Sequence, residues 1–160
     1  MKKLLALLIA LILLTCAALG EEQTHAVPED WKAFPITLLC MNISLPADFV
    51  ADELPEDDPQ FLGSWSNEGL TVSAVLIGDS LDNVYATMQM YIGTDFHTLT
   101  ETVVNDLRCI VADTTDGEIA YAYVALDEGM CMCVIATRMQ EGYEMDFALL
   151  DVIASLTRTW

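Results

Sequence analysis

Residues 118–138 read EIAYAYVALDEGMCMCVIATR, and the fold turns on them. Two apolar runs flank Asp127-Glu128-Gly129, a polar break containing glycine, so the stretch predicts a strand, a short turn and a second strand. In the first run Ile119, Tyr121, Tyr123 and Ala125 make one register and Ala120, Ala122, Val124 and Leu126 the other, and both are apolar. The second run keeps that character until Thr137 and Arg138. Strands apolar on both faces belong in the middle of a sheet covered from both sides. Tyr121 and Tyr123 fit amphipathic core aromatics better than catalytic acids, and Met130, Met132 and Met139 fit core filling better than a soft-metal site.

Outward from this hairpin the chain supplies neighbours and cover. Asp113 to Gly117 reads as a turn and Cys109 to Ala112 as a short strand before it. Thr98-Leu99-Thr100-Glu101 matches a capping box, and Leu99, Val103, Val104 and Leu107 make an apolar stripe, which predicts a helix over 98–107. Val84, Ala86, Met88, Met90 and Ile92 alternate with Tyr85, Thr87, Gln89 and Tyr91, so 84–92 reads as a strand. A helix with Leu81, Val84, Tyr85, Met88 and Ile92 inward is the competing pattern. Phe61 to Trp65 and Leu70 to Ile77 flank Ser66-Asn67-Glu68-Gly69 as a hairpin, and Ile36 to Leu45 alternates as one half-buried strand closed by Pro46. Met145, Leu149, Val152 and Leu156 line one stripe of a closing helix over 144–157. The sum is an α+β domain over 36–160: an antiparallel sheet of about six strands with two helices, 98–107 and 144–157, packed on it. Residues 21–35 are read as a flexible lead-in that docks only through Trp31 and Phe34, with His25 exposed in it.

Residues 1–20 stand apart. Lys2 and Lys3 precede an apolar run from Leu4 to Leu14, and Ala18-Leu19-Gly20 carries the small residues of a cleavage site, so they read as a signal peptide. The apolar run is short for a membrane span, and Glu21-Glu22 follows it. Leu13-Leu14-Thr15-Cys16 resembles the lipobox of bacterial lipoproteins but departs from it at Thr15, where such boxes carry Gly, Ala or Ser. A soluble exported protein is the reading, with lipidation at Cys16 the alternative.

The whole chain has 6 Lys+Arg against 25 Asp+Glu, a formal charge of −19. Losing the leader removes two lysines and no acid, leaving four basic side chains against 25 acidic ones, or −21. Such a field repels phosphate backbones, which excludes nucleic-acid binding and leaves a cationic partner open. Pro46 to Pro59 reads PADFVADELPEDDP, an acidic surface loop whose spacing fits no calcium-binding motif. Trp65 beside its turn, with Asp52, Glu53, Glu56, Asp57 and Asp58 of the loop, is the expected interaction surface. Cys40, Cys109, Cys131 and Cys133 remain with the exported chain, an even number that permits disulfides, with buried free thiols the alternative.

The order of elements resembles the PsbP/Mog1/DcrB-like fold. An early strand ends in Leu45-Pro46, hairpin strands follow, a helix opens at Thr98, further strands run through 109–139, and a last helix ends Ile153-Ala154-Ser155-Leu156. The resemblance implies an antiparallel sheet with helices on its faces, as in small exported bacterial proteins, and carries over no catalytic or binding residue. Neither His25 nor His97 sits in a triad-like context, and no glycine-rich phosphate loop or metalloprotease helix appears. The expectation is a non-catalytic exported binding or interaction module of the bacterial envelope, its ligand an unknown protein or small molecule, with no cofactor, no metal and no membrane span in the exported chain. The alternative is an acidic immunity-type or inhibitor protein that neutralises a basic partner.

Overall fold

A computed structural model describes residues 25–54 and 58–159. Ten strands and two α-helices follow in the order β1 (Lys32–Ile36), β2 (Met41–Leu45), β3 (Val50–Ala51), β4 (Phe61–Ser66), β5 (Leu70–Ile77), α1 (Leu81–Gln89), β6 (Phe96–Val104), β7 (Leu107–Thr114), β8 (Ile119–Ala125), β9 (Cys131–Arg138), α2 (Leu149–Ala154) and β10 (Thr157–Arg158). They build an antiparallel seven-stranded sheet, ordered β3-β4-β5-β9-β8-β7-β6, and a three-stranded sheet, ordered β1-β2-β10. The fold is α+β.

The 118–138 hairpin is β8 and β9, and β9 is the central strand of the seven, paired with β8 on one side and β5 on the other. Its inner face carries Met132, Val134 and Ala136 beside Ala122 and Val124 of β8, all buried in one core with Ile43 and Leu45 of β2 and Leu149, Val152 and Ile153 of α2. Each of the Met, Val, Leu and Ile side chains among them contributes roughly 1.5–3 kcal/mol when fully buried. The outer face carries Cys131 and Cys133, and α1 lies over part of it, with Leu81 and Met88 buried against Ile110, Ala112 and Cys131. Both registers are apolar because both faces are covered.

Five expectations for the flanking elements change. Residues 96–104 are strand β6, not the helix expected over 98–107. Asn105 and Asp106, with φ 48° and 65°, make a two-residue turn of the kind that joins hairpin strands, and β6 pairs with β7 from Thr98↔Asp113 to Val104↔Leu107. The Thr98 hydroxyl donates to Asp113 Oδ2 across the pair at 2.8 Å, and Glu101 accepts from Arg108 instead of returning to a cap. The β-branched run Thr98, Thr100, Thr102, Val103 and Val104 belongs to a pleated strand. Conversely, the strand expected over 84–92 is replaced by helix α1, opened by Ser80, whose hydroxyl accepts the Asn83 N–H at 3.3 Å. The competing inward set of Leu81, Val84, Tyr85 and Met88 is the one that packs.

The closing helix is shorter than 144–157. Residues 144–148 are not helical, because Phe147 lies edge-on to Trp31 (5.7 Å) and Phe49 (5.9 Å) and draws the chain into the core. At the other end buried Ser155 accepts the Ser44 N–H at 2.7 Å, tying α2 to β2. The single strand expected over 36–45 is a hairpin: Thr37–Leu39 form a 3-10 turn, Cys40 takes a left-handed conformation with φ 49°, and Ile36 pairs with Met41. The lead-in is ordered within the described residues. Its Lys32–Ile36 segment is edge strand β1 with Phe34 buried, and His25, expected to be exposed, bonds Asp151 through Nδ1 at 2.7 Å.

Gly63 and Trp65 project from the same face of β4, and the indole occupies the space a Gly63 side chain would take. Trp65 in turn meets Phe34 at 5.8 Å between ring centroids. Gly63→Ala is expected to cost about 1–3 kcal/mol through overpacking, read from the midpoint of denaturant unfolding. A change below about 0.5 kcal/mol would mean the indole does not rest on this glycine.

Candidate functional site

Among the described residues the expected interaction surface does not assemble as such. Trp65 is 3% exposed and belongs to the core, so it is not a contact residue. β3 pairs with β4 beside the hairpin turn and covers the indole's strand, with Ala51 opposite Trp65. Asp52 is half-buried, its carboxylate accepting from the Ser64 and Ser66 hydroxyls at 2.8 and 2.6 Å. Glu53 and Asp58 are exposed, and Asp58 accepts the Gln60 N–H. Glu56 and Asp57 lie outside the described residues, as does Cys16.

Among the described residues Cys40, Cys109, Cys131 and Cys133 are all unbridged in this structure. Cys109 is on β7 and faces the inner core, whereas Cys131 and Cys133 are on β9 and face outward. β8 lies between those strands, which sets them roughly 10 Å apart, beyond the 7 Å limit for a disulfide. Cys40 is exposed at the 3-10 turn of the other sheet. Burial pushes the Cys131 thiol up to about 11 and the Cys109 and Cys133 thiols up to about 12. It also raises the Tyr123 hydroxyl, which stands opposite Cys133. Thiols so held are protonated at neutral pH and poor nucleophiles.

What the structure does gather lies around α1, on the outer face. A cleft of about 250 Å³ between α1 and the sheet is lined by Ile77, Asp79, Val84, Thr87, Met88 and Tyr123. A second, of about 190 Å³, has Asp82, Arg108, Asp127 and Glu128 in its wall. Arg108 Nη2 bonds Asp82 Oδ1 and Glu101 Oε1, each at 2.7 Å, which ties α1 to the β6–β7 hairpin and holds the guanidinium well above its ordinary pKa. Past the helix end, Met90, Tyr91 and Ile92 are 75%, 44% and 43% exposed. Ile92 then bridges Phe96 at the start of β6, so these apolar side chains adjoin that strand. Sequence reasoning missed this group because it placed 84–92 in a strand; the Ser80-Leu81-Asp82-Asn83 cap was the signal available. Exposed His97 stands apart from His25, and among the described residues no three His, Cys, Asp or Glu side chains converge on a metal position.

The architecture defines a class: an antiparallel sheet packed on one face by a smaller sheet and a helix, and partly covered on the other by a second helix. Among solved structures the chain is similar to cyanobacterial PsbP (CyanoP) from Synechocystis sp. PCC 6803, with a TM-score of 0.52 and 10% identity over 88% of this chain and 99% of that one. The chain has the PsbP-like fold. No family profile and no curated relative matches it. Among the described residues no helix is long and apolar enough to cross a membrane.

Two chemical tests follow from the thiols. With a thiol reagent near neutral pH, Cys40 should label rapidly and Cys109, Cys131 and Cys133 only after unfolding, read by mass spectrometry of the digested chain. Fast labelling of Cys131 or Cys133 would show that α1 does not cover them. The raised values also give stability a direction with pH. The folded chain keeps thiol protons that the unfolded chain releases, so stability is full below the ordinary value of 9.0 and falls as pH climbs towards about 12. Urea midpoints should therefore be lower at about pH 10.5 than at about pH 8, and equal midpoints would contradict the burial.

Proposed function

We propose that this protein is an exported, non-catalytic interaction module of the bacterial cell envelope. The observation that carries the reading is the run Met90, Tyr91 and Ile92, three consecutive large apolar residues left exposed on a strongly acidic domain. Exposed apolar side chains on a rigid body favour contact with a partner over catalysis. The buried, protonated thiols of Cys109, Cys131 and Cys133 support the same reading, since none is presented as a nucleophile. Export rests on the leader-like residues 1–20, with lipidation at Cys16 as the variant form.

A second reading, an acidic immunity-type or inhibitor protein, is favoured by the charge. The chain carries 6 Lys and Arg against 25 Asp and Glu, so the carboxylates far outnumber the cations, and Arg108 is already shared by two of them. Both readings call for a protein or peptide partner.

The intact mass of the protein recovered from an expressing bacterium tests export. A mass for a chain beginning after Gly20 is expected, a lipid adduct on Cys16 would give the anchored form, and a full-length chain would refute processing. Capture of partners at low and at high salt separates the two readings: loss of the partner on raising salt supports the neutralising role, and retention supports an apolar contact.

A further inference from the structure

The four sheet edges are not alike. In the smaller sheet, β1 carries Pro35 and β10 has two residues. In the larger sheet β3 also has two residues. Prolines and very short strands blunt an edge against pairing with another chain. β6, the remaining edge, is nine residues long, FHTLTETVV, with no proline and no lysine, and its one irregularity is at the Phe96 end. Among the described residues no strand lies on its outer side beyond the Ile92 bridge to Phe96.

The turn tells which backbone groups that edge offers. A two-residue turn is closed by hydrogen bonding between the residues that flank it, so Val104 and Leu107 form a hydrogen-bonded pair. Alternation along an antiparallel ladder then turns the N–H and C=O of Thr98, Thr100 and Thr102 towards β7, and those of Leu99, Glu101 and Val103 outward. Three N–H and C=O sets stand ready for an added strand.

Charge decides what that strand would be. Asp95 precedes β6 and Asp106 sits in the turn after it, both exposed, while Glu101 midway is already paired with Arg108. A second copy pairing antiparallel about Thr100 would set Asp95 beside Asn105 and next to Asp106 of the other chain, at both ends. It would also bring two bodies of formal charge −19 together. Like charges so placed oppose pairing. A basic strand turns each of these repulsions into attraction. Building on the interaction-module reading, we infer that the outer edge of β6 is a docking site for an extended cationic peptide segment, which adds to the seven-stranded sheet as an eighth strand. Met90, Tyr91 and Ile92 lie at the Phe96 end, where they meet apolar side chains of the incoming strand.

The test uses the full domain and a nine-residue peptide alternating lysine and valine, with a proline-interrupted peptide of the same charge as control. By amide hydrogen exchange, the N–H groups of Leu99, Glu101 and Val103 should exchange fast in the free protein and slow by about tenfold or more with the alternating peptide, while Thr98, Thr100 and Thr102 are already slow. The proline control should protect none of them. Val103→Pro removes one outward donor without touching the β7 ladder and should weaken binding about tenfold. Asp95→Asn with Asp106→Asn, both mild at their positions, should weaken it about fivefold at low salt and less at high salt. The exchange measurement on the unsubstituted chain decides the matter even if Val103→Pro misfolds. Peptide bound without protection of the three amides would overturn the edge while leaving the interaction module standing. Failure of the peptide to bind at low salt, or dimerisation that strengthens with salt and protects the same amides, would overturn the cationic strand.

Discussion

A strand pair that is apolar on both faces has to be covered on both faces, and β8 with β9 imposes that requirement on the rest of the chain. The inner face is met by the smaller sheet and α2 around Met132 and Val134. Among the described residues the outer face is met by α1, a helix of nine residues laid over a sheet seven strands wide. Small thiols at Cys131 and Cys133 leave room for Met88 and its neighbours to approach the sheet closely, so their chemistry is packing. The side chains along the outer face follow that cover. Where α1 lies, the row runs Cys133, Tyr123, Ile110; further from it the register brings together Ser66, Thr71 and Thr137, and Ser64 beside Ser73. Polarity across one face therefore changes from apolar to hydroxyl-bearing as the helix cover ends.

That same gradient explains which parts of the fold were legible in the sequence. Residues 119–138 could be read because a double apolar register has one good structural meaning, and the Ser66–Gly69 hairpin because its turn chemistry agrees with its flanks. Residues 81–107 could not, because two local signals competed in each half. Thr98 and Glu101 have capping-box spacing, but the hydroxyl and the carboxylate satisfy Asp113 and Arg108, partners contributed by the next strand. Their roles depend on β7, which no local pattern contains. The alternation over 84–92 was equally compatible with a helix, and Ser80 was the deciding cap. The PsbP-like architecture survived this exchange of helix and strand because it rests on the number of layers and not on which segment fills one.

The candidate surface was less legible than the fold for a related reason. Trp65 beside a turn is open to solvent only if nothing pairs with β4 on that side, and the two residues of β3 suffice to close it. Asp52 belongs to an acidic loop by composition, yet two serine hydroxyls of β4 hold it in place, which makes it a fastener for β3. Composition identifies how many carboxylates a chain has. Hydrogen-bond partners decide which of them remain available to a ligand, and those partners lie 12 and 14 residues away from Asp52 in sequence.

Charge and edge protection meet at β6. A chain with 25 acidic side chains resists self-association through its field, so it has less need of the proline and short-strand devices that blunt its other edges. That protection acts only against like-charged chains. It offers nothing against a basic strand, for which the field steers approach and the open backbone supplies the bonds. An edge guarded by net charge alone is therefore selective by sign: closed to copies of itself and open to a cationic partner, and the Asp95 and Asp106 carboxylates at its two ends sharpen that selection where the strands would meet.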